Sequence, residues 1–250
     1  MLRHFLTLSI IAAVITFSAN KSACSQTVSI SVETGGVWFS NNEVRIPNEG
    51  GTTFDMLEII GSDASPYLRL YATVSLGERH TVRALIAPLS KSGTGIFNED
   101  IFFEETTFDA GVPIDGTYQF NTYRFTYRYT FYNRNNWKLG AGAAALIRDA
   151  KVELIQPDRS DSNTDLGFVP LLHIYAERNL GERVSIVLDG ESLAARQGRA
   201  TDVSLTFNYS FSENWTTRAG YRLLEGGADV DDVYNFSWIN FGLLAFQITF

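Results

Sequence analysis

Between Asn121 and Phe131 the chain alternates almost without error: Tyr123, Phe125, Tyr127, Tyr129 and Phe131 are aromatic, whereas Thr122, Arg124, Thr126, Arg128 and Thr130 are polar. A strand turns successive side chains to opposite faces, so this period of two predicts a strand with one aromatic face and one face carrying two guanidinium groups. The pattern returns at Val203, Leu205, Phe207, Tyr209 and Phe211 against Ser204, Thr206, Asn208 and Ser210. It returns again at Trp215, Ala219, Tyr221 and Leu223 against Thr216, Arg218 and Arg222. The tetrapeptide Leu-Gly-Glu-Arg stands twice between alternating runs, at 76–79 and 180–183, and with 133–136 and 212–214 it marks four tight turns. Longer polar connections lie at 41–66, 92–116, 157–167, 195–200 and 226–232. Four short and five long connections predict ten strands, starting near Val28, Tyr67, Thr81, Tyr118, Trp137, Phe168, Arg183, Asp202, Trp215 and Val233. Eight or twelve strands stay open, because the stretch from Glu43 to Ile60 suits either an extra hairpin or an extension of two strands.

The first residues follow a different pattern. A basic start at Arg3 and His4, an apolar run from Phe5 to Phe17 and small residues at Ala23 and Ser25 read as a secretory signal peptide cleaved after Ser25. The remaining 26–250 then forms one domain, and with Cys24 in the leader it has no disulfide. Beyond the leader no apolar run approaches the roughly 20 residues of a spanning helix. The formal charge is −8, near −10 without Arg3 and Lys21, which argues against a nucleic-acid partner.

At the other end Leu244, Phe246, Ile248 and Phe250 alternate with Ala245, Gln247 and Thr249. This ending resembles the C-terminal signature of bacterial outer-membrane β-barrels, in which the last strand closes on an aromatic residue read by the barrel-assembly machinery. Phe246, Ile248 and Phe250 are the residues that match. The chain as a whole resembles a set of Gram-negative outer-membrane β-barrel proteins, through 123–129 (YRFTYRY), 147–150 (IRDA), 188–203 (LDGESLAARQGRATDV) and 219–236 (AGYRLLEGGADVDDVYNF). The resemblance implies an all-β transmembrane antiparallel up-and-down barrel with both termini periplasmic, in contact with outer-membrane lipid and lipopolysaccharide. It implies no reaction, and the oligomeric state stays open. Aromatic residues at strand ends, Tyr132 with Trp137 and Phe211 with Trp215, suit a girdle at the membrane interface.

With the apolar rows outward, the alternate positions face a narrow lumen. That inward set holds Glu33, Arg69, Arg83, Arg124, Arg128, Arg148, Glu177, Asp189, Glu191, Arg218 and Arg222, which must pair with one another. A lumen plugged by such pairs is the expectation, and a narrow conducting pore is the alternative. The small residues of 140–145 leave room for long arginines or for a small cavity. Asp229, Asp231 and Asp232 offer hard oxygen ligands of the kind calcium takes, but the spacing matches no EF-hand and the reading preferred is an exposed acidic turn with no metal. Barrel enzymes of this class use a Ser-His couple, or an Asp-His pair set across from an Asp pair. Here His173 is the candidate, with Glu177 or Tyr175 beside it as a packing partner or a catalytic one. The residue two after it is Tyr175, so a compact His-x-Ser signature is absent, and no Asp-His pair is evident locally. No motif calls for a cofactor.

Overall fold

The computed structural model describes residues 26–250; the expected leader lies outside the described residues. The elements in chain order are β1 (Gln26–Arg45), β2 (Phe54–Asp55), α1 (Leu57–Ile60), β3 (Ser65–Leu76), β4 (His80–Ala87), β5 (Ser90–Gly95), β6 (Ile101–Phe103), β7 (Thr106–Phe108), β8 (Ile114–Arg134), β9 (Trp137–Gln156), β10 (Arg159–Asn179), β11 (Val184–Ala195), β12 (Gly198–Ser210), β13 (Trp215–Asp229) and β14 (Tyr234–Thr249). Ten of these strands pair antiparallel with their neighbours, and β14 returns to β1 from Ser29↔Thr249 to Arg45↔Tyr234, closing a barrel. Closure removes the two free edges of an open sheet. β5 continues β4 along β8 after a break at Pro88 and Leu89, β2 adds a short rung to β1, and β6 and β7 make a separate hairpin.

The four tight turns stand where the alternation places them, at one end of the barrel together with Gln26 and Phe250. At Asn135 and Asn136 the backbone takes φ of 53° and 63°, as the two central residues of a type I′ hairpin must. The other end differs from expectation. Connections 157–167, 195–200 and 226–232, expected as long loops, are strand over most of their length and turn within a few residues, so β10 begins at Arg159 rather than near Phe168. Polar, charged side chains beyond the apolar rows hid these extensions, because a strand with polar residues on both faces carries no period of two.

The two connections that are long, 46–64 and 96–113, fold inward as a cap. Phe54 packs edge to face on Phe97 and Phe103 at centroid distances of 5.5 and 6.1 Å, and Met56, Ile59, Ile101 and Phe108 join them. This cap sits on inward residues of the strands, including Val37, Phe39, Tyr118, Leu154, Ile239 and Phe241. The lumen is therefore apolar at the loop end, where the expectation was polar throughout. α1 docks directly on β5: a Cβ at Gly93 would lie 2.2 Å from the Ile59 carbonyl oxygen, so only glycine permits this approach.

Outside, the rows are apolar as predicted, with Phe125, Leu205, Phe207, Leu244 and Phe246 among the most exposed large side chains. Phe211 stacks on Trp215 at one turn, and Arg178 lies over the Trp137 ring at 5.0 Å at another.

Candidate functional site

Between cap and turn end, four arginines and four carboxylates cross the lumen as one cluster. Arg222 forks onto Glu33 through Nε and Nη2, both at 3.1 Å, and reaches Asp202 Oδ1 with Nη1 at 2.5 Å. Asp202 Oδ2 also accepts from Arg69 Nη2 and Arg124 Nη1, each at 2.9 Å. Arg124 bridges on to Glu191, which takes Arg83 Nη2 at 2.9 Å and the Thr126 hydroxyl at 2.7 Å. Arg83 completes the chain by donating to both oxygens of Asp189, at 2.7 and 3.1 Å. Tyr67 and Tyr71 donate their hydroxyls to Glu33 at 3.2 and 2.9 Å. The cluster thus joins β1, β3, β4, β8, β11, β12 and β13, its charges cancel, and every carboxylate oxygen accepts at least one hydrogen bond, a condition that lets buried charges be tolerated.

Of the inward set read from the pattern, Glu33, Arg69, Arg83, Arg124, Asp189, Glu191 and Arg222 join this cluster, and the other four do not. Arg148 pairs with Asp165 near the cap, Arg218 donates to Ser31, and Arg128 lies over the Tyr175 ring at 3.7 Å while donating to Thr81. A Cβ at Gly140 would stand 2.9 Å from the Arg128 stem, so the small residues of β9 do make room for a long arginine. Below the cluster, Arg128, Glu177, Arg218 and polar residues of the surrounding strands line a vestibule of about 280 Å³ toward the turn end. Asp202, the carboxylate shared by three arginines, was absent from the predicted set. Its parity with Ser204 and Thr206 is the signal that would have found it, masked by its reading as the first residue after a loop.

His173 is buried, and its environment differs from expectation. Its Nδ1 is 3.2 Å from the Gly190 carbonyl oxygen, with Glu191 and Asp189 at 3.6 and 3.9 Å across the β10–β11 pair. Glu177 instead accepts the Tyr175 hydroxyl at 2.8 Å, so the His173–Glu177 couple does not form. An imidazole does meet two carboxylates, but through the register His173↔Glu191, which no local motif reveals. These three are the grouping among the described residues whose potential ligand atoms lie within 4.8 Å of one another; Asp229, Asp231 and Asp232 form no such group, and Asp229 accepts from Asn48 at 2.8 Å. The carboxylates beside His173 are already engaged by Arg83 and Arg124, which opposes a cation there.

No family model matches the chain, and no curated protein matches it either. Among solved structures, the outer membrane protease OmpT from Escherichia coli is similar with a TM-score of 0.53 at 9% identity, over 93% of this chain and 100% of that one. Ail, the attachment invasion locus protein of Yersinia pestis, aligns with a TM-score of 0.40 at 12% identity, over 90% of this chain and 99% of that one. An outer membrane channel from Pseudomonas putida F1 aligns at 0.42 and 8%, over 93% and 98%. The first likeness shows the fold alone: this chain has the closed ten-strand architecture of an outer-membrane β-barrel.

Proposed function

We propose that this chain is an integral protein of a Gram-negative outer membrane whose barrel is stoppered, a non-enzymatic anchor that presents its loop end to envelope components or external ligands. The observation that carries this reading is the neutral crossing of Arg69, Arg83, Arg124 and Arg222 with Glu33, Asp189, Glu191 and Asp202, roofed by the apolar cap around Phe54 and Phe103. An ion following the axis would have to break several desolvated pairs, a passage opposed by several kcal/mol. The outward apolar rows support contact with hydrocarbon and lipopolysaccharide. The Phe246 and Ile248 side chains of β14, with Phe250 beyond them, support handling by the assembly machinery, with the turn end and both termini in the periplasm. The hydrogen bond of His173 to a backbone carbonyl supports a packing role for it rather than hydrolysis.

Planar-bilayer recording on the purified, refolded protein tests this. The stoppered barrel gives no steady steps above membrane leakage. Reproducible single-channel conductance would overturn it in favour of a narrow pore for ions or small solutes.

A further inference from the structure

The barrel wall is incomplete on one side. β10 pairs with β9 from Arg159 to Arg178 but with β11 only from Leu172 to Asn179, because the β11–β12 hairpin turns back at Arg196 and Gln197. Over 159–171 the second edge of β10 pairs with no strand among the described residues. Pro170 stands in this stretch, where a residue without an N–H suits an unpaired edge.

Behind the edge lies a cavity of about 740 Å³, within the range of small-molecule sites. Both faces of β10 line it: Val169 and Leu171 point to the lumen, Phe168 and Pro170 outward. With the β10 edge unpaired beside it, a cavity lined from both faces of this strand reaches the wall at its open edge. Of its lining, Phe168 is 69% exposed, and Leu166, the preceding residue of the same outward row, is 76% exposed. Leu166 pairs with Asp149, and from there the outward row of β9 continues as Lys151 and Glu153. The mouth therefore lies at the rim of the apolar band, where chain tails give way to polar head groups. Within, Leu146, Leu193, Ala200 and Leu224 make apolar walls. Arg124 reaches the floor, its Nε buried without a partner. At the rim stand two ion pairs, Arg148 with Asp165 and Arg199 with Glu225.

We infer that this opening is a lateral portal through which one acyl chain of a bilayer lipid enters the barrel wall, its polar end staying beside the rim pairs. A hydrocarbon chain covering apolar walls that otherwise face water is held there by the hydrophobic effect. The continuity of Phe168 and Pro170 with the lipid-facing row makes the bilayer the source. The inference rests on the membrane reading above.

Photolabelling tests it. The full chain is reconstituted in phosphatidylcholine vesicles carrying a diazirine near the end of one acyl chain, irradiated, and its adducts mapped by peptide mass spectrometry. The portal predicts adducts on inward Leu193 and Leu224 as well as on outward Leu205 and Phe207. In Ala200→Trp, where a large ring fills the cavity, inward labelling falls by about tenfold or more, equivalent to ~1.4 kcal/mol, while outward labelling is unchanged. Should that variant fail to give a heat-modifiable barrel, Ala195→Trp at the more open hairpin tip replaces it. Adducts confined to Leu205, Phe207 and other outward residues would overturn the portal and leave the membrane reading intact. Absence of label at Leu205 and Phe207 too would overturn both.

Discussion

Asp202 shows how much rests on single side chains in a narrow lumen. Its two oxygens hold Arg69, Arg124 and Arg222, so a neutral side chain there leaves three guanidinium groups sharing fewer charges than they need. Asp202→Asn is expected to cost about 3–5 kcal/mol, the range for breaking a buried pair, read as a lower urea midpoint for unfolding in detergent. Arg199→Ala, which removes an exposed pair with Glu225, is expected to cost less than about 1 kcal/mol in the same assay. Equal losses would mean that the lumen cluster is solvated. Most of this cluster was legible in the sequence, because one parity along each strand delivers Glu33, Arg69, Arg83, Arg124, Asp189, Glu191 and Arg222 to one side. Which arginine meets which carboxylate was not legible, since partners such as Arg69 and Asp202 are 133 residues apart and their encounter depends on closure.

At the scale of elements, turn chemistry decides the register of each hairpin. The 135–136 pair carries two positive φ values without a glycine, so each asparagine spends a little free energy on a left-handed backbone. Asn136→Gly should raise the unfolding midpoint, whereas Asn136→Val should lower stability by about 1–2 kcal/mol. No difference between the two variants would contradict the I′ assignment. Turns and apolar rows were readable because each is a local signal. The loop-end extensions of β10, β12 and β13 were not, because there both faces of a strand meet polar surroundings and the alternation fades. Whether the first two loops fold over the mouth was not legible for a related reason: Phe54, Met56, Phe97 and Phe103 stand in connections without a period of two and find one another only across the barrel mouth.

For the whole molecule, closure unites these features. A ten-strand ring is narrow enough for side chains from opposite walls to meet, which joins the inward charges into one cluster and lets two loops pack above it. The same ring turns every outward row toward one surrounding medium, and that medium decides where the protein resides and what it can do. Nitroxide scanning along β12 in reconstituted vesicles measures it directly, through collision with apolar oxygen and with a water-soluble nickel chelate. If hydrocarbon surrounds the barrel, labels replacing Leu205 and Phe207 collide strongly with oxygen and scarcely with the chelate, and labels replacing Ser204 and Thr206 collide with neither. Free access of the nickel chelate to the Leu205 and Phe207 positions would contradict the account.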